Sequence, residues 1–198
     1  MIARCATPRA AQRWIRSLNY NWEEDGETLR SFRGVVAHQS AHCLEAALAA
    51  ATVLEQHGRP PLLLDLESQD GLDHVVCAFR SNGRWGAIGG SRDMGLWGRR
   101  PVFRSVEALA RSYYDPYVDL TGRIVGYALV DLRVLDPYDW RLSDRNVWKV
   151  ERFLIEVPHR PIHTDDRRYI RLRECYREFI RDHDARDTPF TRGRKHWM

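Results

Sequence analysis

Between Ser40 and Gly58 lie seventeen residues, of which six are alanine and only Glu45 and Glu55 carry a fixed charge. Alanine is the strongest helix former, Ser40 is a capping residue, and Gly58 followed by Pro60 ends what Ser40 begins. The pattern predicts a helix over 41–57 with Ser40 as its N-cap. Leu44, Ala47, Leu48, Ala51 and Leu54 share one face at helical spacing, while Ala46, Ala49 and Ala50 leave the other faces small rather than polar. A helix of that kind has to be covered on several sides. It calls for a sheet and further helices around it, which 198 residues in one domain can supply.

The chain on either side provides them. Pro61 to Leu66 reads as a strand and Ser68-Gln69-Asp70-Gly71 as a turn. His74–Ser81 and Arg84–Gly89 then flank Asn82-Gly83, the strongest short signal for a hairpin. Thr7-Pro8 starts a helix that runs to about Leu18, and 19–33, with Tyr20, Trp22 and an acidic run, is expected to be an irregular connection. Ser105 caps a short helix through Tyr114, and 124–134 is strand-like. Ser143 is read as the cap of a helix through Ile155, and Thr164-Asp165-Asp166 as the start of a last helix. The expectation is an α+β fold: one domain over 1–183, its core at about 34–135, and a mobile basic tail over 184–198.

Composition narrows the function classes. The apolar run Ala46–Leu54 is about half of the roughly 18 residues that a membrane span needs, so no membrane partner is expected. The first nine residues have no apolar leader, and the expected location is cytoplasmic. Cys5, Cys43, Cys77 and Cys175 are 38, 34 and 98 residues apart, which gives neither a zinc rhythm nor a disulfide framework. With no phosphate loop, dinucleotide fingerprint or HExxH, no metal or cofactor is expected. The net charge of +4 arises over 159–198, where 11 basic residues face 7 acidic ones. Arg168, Arg171, Arg173, Arg177 and Arg181 are interleaved there with Tyr169 and Tyr176, but Glu174, Glu178 and Asp182 dilute them, so nucleic acid is not the expected partner.

Chemistry is expected at Cys43. It falls near the start of the central helix, where unpaired N–H groups and the helix dipole favour a thiolate. In an alanine-rich helix the alternative role of a lone cysteine is that of a small core residue. His74 opens a strand 31 residues downstream. This order of cysteine helix, strand and histidine hairpin, over about 38–93, resembles the transglutaminase-like group of papain-like cysteine enzymes. The chain as a whole also resembles an uncharacterised bacterial family within that superfamily. The resemblance implies a papain/transglutaminase-like fold and a Cys43–His74 dyad. His74, Asn82-Gly83 and Trp85 match the family's spacing without a gap, but Gly89 stands where the family has its aspartate.

Strand register offers substitutes for that aspartate. Counting back from the Asn82-Gly83 turn sets Ser91 opposite His74, where its hydroxyl would orient the ring, and Asp93 follows as a candidate acid. Gln39 and Trp22, with Asn21, are upstream candidates for holding an oxyanion or substrate, and Trp85 joins Gln39 and Trp22 as a substrate-binding candidate. His42 is expected to point about 100° away from Cys43 around the helix and to be a cap or surface residue rather than a catalyst, and Glu45 to be solvated or paired. The expected reaction is acyl transfer through a thioester: peptide or isopeptide hydrolysis, or amide formation. A peptide or protein is the donor, and water or an amine the acceptor. The alternative is an inactive fold of the same type that binds a peptide or a protein.

Overall fold

A computed structural model describes residues 1–184 and 189–190. Thr7 accepts a hydrogen bond from the Ala10 N–H at 3.2 Å and opens α1 (Pro8–Arg16). Two short strands follow, β1 (Asn19–Tyr20) and β2 (Ser40–Ala41), with α2 (Phe32–His38) before the second. They pair in parallel, Asn19 with Ser40 and Tyr20 with Ala41. That pairing keeps Ser40 and Ala41 extended, so α3 (Cys43–Gln56) starts two residues later than the sequence pattern implies. Its N-cap is His42, and Cys43 is its first helical residue. The connection over 19–33 is likewise shorter than expected, because Phe32 and Val35 bury one face of α2 in the core.

The main sheet uses β3 (Leu62–Ser68), β4 (His74–Ser81), β5 (Arg84–Ile88) and β6 (Arg99–Phe103), then β7 (Ile124–Asp131) and β8 (Arg160–Pro161). Its order is β6-β5-β4-β3-β7-β8, and every neighbouring pair is antiparallel. The β4–β5 turn is built as the sequence predicts. Asn82 and Gly83 both adopt positive φ, 49° and 73°, which matches the twist of the two strands. Strand β6 was not foreseen, since glycines and charges fill 89–100; it pairs with β5 through Trp85–Phe103 and Ala87–Arg99.

Helices α4 (Val106–Arg111), α5 (Tyr114–Tyr117), α6 (Trp148–Glu156) and α7 (Asp166–Phe179) complete the described elements. Ser105 and Asp165 cap α4 and α7 as expected, but α6 starts at Trp148, and the Ser143 hydroxyl bonds Arg145 instead.

Side chains alternate across the strands and so divide the core in two. Leu63, Val75, Cys77 and Ile88 pack with α1, α3 and α6. Leu64, Leu66, Val76 and Ala78 pack on the other face with Leu109, Tyr113 and Leu172. Helix α3 lies between α1, α2 and the sheet, and every residue from Leu44 to Leu54 is buried. The α+β class follows, an antiparallel sheet with a helical layer on each face. Among the described residues no helix is long and apolar enough to cross a membrane. The proposed tail over 184–198 falls almost wholly outside the described residues.

Candidate active site

The first turn of α3 meets the first residue of β4. His74 is 2% exposed, and its Nε2 lies 2.8 Å from the Leu96 carbonyl oxygen. A carbonyl only accepts, so Nε2 carries the proton and Nδ1 is the nitrogen left for a thiol. His42 has extended backbone angles, φ −83° and ψ −178°, and precedes the helix. It is therefore not displaced by 100° around a helix axis, as expected, but flanks Cys43. Its Nε2 donates to the Thr28 carbonyl at 3.0 Å.

Both imidazoles act on the sulfur. Burial opposes ionisation of Cys43, but hydrogen bonds from His42 and His74, together with their charges, outweigh it and lower the thiol to about 5. Burial likewise opposes a charge on His42, yet its hydrogen bond to Cys43, the thiolate charge and Glu45 raise the imidazole to about 9. The favoured state near neutral pH is a thiolate beside an imidazolium.

Glu45 holds this arrangement from beneath. Of the two expected states, solvated or paired, it adopts the second: it is 0% exposed, lies 3.8 Å from His42 Nε2 and accepts four hydrogen bonds. The donors are the His42 N–H at 3.1 Å, Asn21 Nδ2 at 3.0 Å, the Thr28 hydroxyl at 2.9 Å and the Arg30 N–H at 2.8 Å. One carboxylate thus ties the segment from Asn21 to Arg30 to the head of α3. The Asn21 amide is committed to Thr28 and Glu45. Tyr20 takes the place beside Cys43 instead. Burial and the nearby thiolate raise its phenol to about 12, so it stays a neutral donor. Trp22, 53% exposed, stands at the mouth of the cleft with its ring edge against Tyr20.

The remaining sequence candidates fall in different places. The β4–β5 ladder ends at Cys77–Ile88, and His74 pairs with Leu66 on β3, so the opposition of His74 and Ser91 is not made. Gln12 of α1 takes the Gly89 backbone groups beyond the ladder: it donates to the Gly89 carbonyl at 2.9 Å and accepts from the Gly89 N–H at 3.0 Å. The Ser91 hydroxyl accepts instead from the Asp93 N–H at 3.1 Å. Asp93 lies close enough to His74 to feel its charge; burial raises its carboxyl, while Arg92 and His74 oppose the rise. Both residues line the cleft. Gln39 ends α2 in the left-handed region, exposed, with its amide turned back to Val36, and Trp85 packs on the second core; neither lines the cleft.

No side chain fits at position 89. A Cβ there would stand 2.7 Å from Val76 Cγ1, closer than real contacts allow. The turn Met94–Leu96 supplies the orienting group through its backbone. Arg99, 1% exposed, fixes that turn by donating to the Gly95 and Trp97 carbonyls, each at 2.7 Å. Its guanidinium stacks 4.0 Å from the Tyr113 ring centroid, and that ring lies 5.8 Å from His74.

The whole encloses a cleft of about 610 Å³ with Cys43 and His74 in its lining. Sequence reasoning missed Tyr20, Asp65 and the Leu96 carbonyl, and it read His42 as a cap, which it is, without its action on the sulfur. For His42 a signal existed: glutamate three residues downstream is the second half of a capping box. Comparison with protein-family models finds none that matches this chain, and no curated protein matches it either.

Proposed function

We propose that this chain is a cysteine-dependent acyl-transfer enzyme of the transglutaminase-like, papain-like type. The observation that carries the reading is the Cys43 thiol, ionised by two imidazoles at the head of a helix and facing a cleft. The Cys43 thiol gives its proton to Nδ1 of His74, and the thiolate sulfur attacks an acyl carbonyl and forms a C–S bond. The electron pair displaced onto oxygen is held by the N–H groups heading α3 and by the Tyr20 hydroxyl. Collapse of this intermediate expels the amine or alcohol, which takes its proton from the His74 imidazolium. Neutral His74 then accepts a proton from water or an amine as that acceptor attacks the thioester, and Cys43 leaves as thiolate. His42, held on Thr28 and Glu45, keeps a positive charge beside the sulfur throughout.

The reading of an inactive peptide- or protein-binding fold rests on Gly89, since an orienting carbonyl does not stabilise an imidazolium as a carboxylate does. Competitive labelling separates the two. Limiting iodoacetamide at pH 6, read by peptide mass spectrometry, compares Cys43 with exposed Cys175 in one molecule. The enzyme reading expects Cys43 to be alkylated first, and to lose that advantage in His74→Ala. Labelling of Cys175 ahead of Cys43 overturns it in favour of the binding module.

A further inference from the structure

The chain carries a net +4, yet the cleft at Cys43 is lined by seven carboxylates against one arginine, Arg92, and the His42 imidazolium. An acidic lining alone is common on solvated surfaces. Asp65 is different. It lies on β3, is 2% exposed and lines the cleft, close enough to Cys43 to feel the thiolate. One carboxylate oxygen accepts from His159 Nε2 at 3.1 Å. The other, Oδ1, is buried with no hydrogen-bond partner among the described residues. An unmet carboxylate oxygen is expensive to bury, and burial raises the Asp65 carboxyl despite His159. Glu151 of α6, on the same lining, has no ion-pair partner among the described residues.

We propose that the cleft selects an acyl donor bearing an ammonium or guanidinium group, most simply a peptide with a basic side chain, bound at Asp65 beside Cys43. This rests on the acyl-transfer reading and names its substrate class. A cation there gives Oδ1 a donor and relieves the carboxylates behind it, whereas an anionic donor meets the same groups as repulsion. The overall charge of the chain favours the opposite preference, so a cation-selective Cys43 has to owe its selectivity to the cleft. Clefts lined by one sign of charge raise association rates by about 10- to 1000-fold.

Thiol reagents of matched size and opposite charge test this on the intact protein. Rates at Cys43 are compared for aminoethyl and sulfonatoethyl methanethiosulfonate at a pH where the amine is protonated, each divided by the rate of the neutral methyl reagent. Exposed Cys175, among the arginines of α7, is the internal reference. The expected cation-to-anion ratio at Cys43 is at least tenfold above that at Cys175, falls with added salt, and falls severalfold in Asp65→Asn and in Glu151→Gln. A ratio no higher than that of Cys175 overturns the proposal. The neutral reagent reports thiolate reactivity separately, so a slow neutral reaction with a high ratio counts against acyl transfer while cation selectivity stands.

Discussion

Removing either imidazole from Cys43 moves the pH at which the thiol becomes reactive. With a midpoint of about 5, Cys43 is almost wholly thiolate at pH 7, whereas a thiol at 9 is about 1% ionised. The gain in thiolate is about 100-fold. A low-pKa thiolate is also a weaker nucleophile: a Brønsted slope of about 0.4–0.5 over that shift lowers its intrinsic reactivity by about 40- to 100-fold. At pH 7 the two effects nearly cancel, and a single rate there says little. At pH 5.5 the thiolate fraction is about three quarters against about 0.03%, and the net advantage is about 20- to 60-fold. The assay is therefore the alkylation rate of Cys43 by iodoacetamide from pH 4 to 10. The wild type is expected to turn on near pH 5, and His42→Ala and His74→Ala each to shift the midpoint upward, because burial of Cys43 then opposes ionisation with one partner fewer. A wild-type midpoint at pH 8 or above, or one that neither substitution moves, refutes the reasoning.

Three further predictions concern the supports of the site. Gly89→Asp, which supplies the aspartate that the resemblance to transglutaminase-like enzymes calls for, is expected to destabilise the fold without raising Cys43 reactivity, since its Cβ collides with Val76; denaturant unfolding and the same alkylation assay check both parts. Glu45→Ala strips four buried or half-buried donors of their acceptor and is expected to lower stability by about 3 kcal/mol or more, seen as a drop in urea midpoint. Arg99→Gln releases the Gly95 and Trp97 carbonyls and with them the seat of His74. Its alkylation midpoint is expected to rise toward that of His74→Ala, while a variant that merely loosens the core keeps the wild-type midpoint.

Much of the frame was legible because the signals were local. The alanines of α3, the Asn82-Gly83 turn and the caps at Thr7, Ser105 and Asp165 each act within a few residues, and each forms as read. The approach of Cys43 to His74 was also legible, through the order of helix and hairpin. What failed depended on distant contacts. Ser40 lost its role as a cap to β1, and the ladder that was to set Ser91 opposite His74 ends at Ile88, beyond which Gln12, 77 residues from Gly89, takes the Gly89 backbone groups. Strand β6 and the Leu96 carbonyl were invisible because a backbone acceptor leaves no trace in side-chain identity. Asp65 read as one polar residue in an apolar strand, and only the fold places His159 and the cleft beside it.

The central claim, that Cys43 forms a thioester with His74 as its proton carrier, is met most directly by intact-protein and peptide mass spectrometry after mixing with p-nitrophenyl acetate at pH 6. The account predicts a burst of p-nitrophenolate approaching one equivalent, one acetyl group on Cys43, and loss of both in Cys43→Ser and His74→Ala. No burst, or acetyl groups spread over lysines and Cys175 at rates that His74→Ala leaves unchanged, contradicts it.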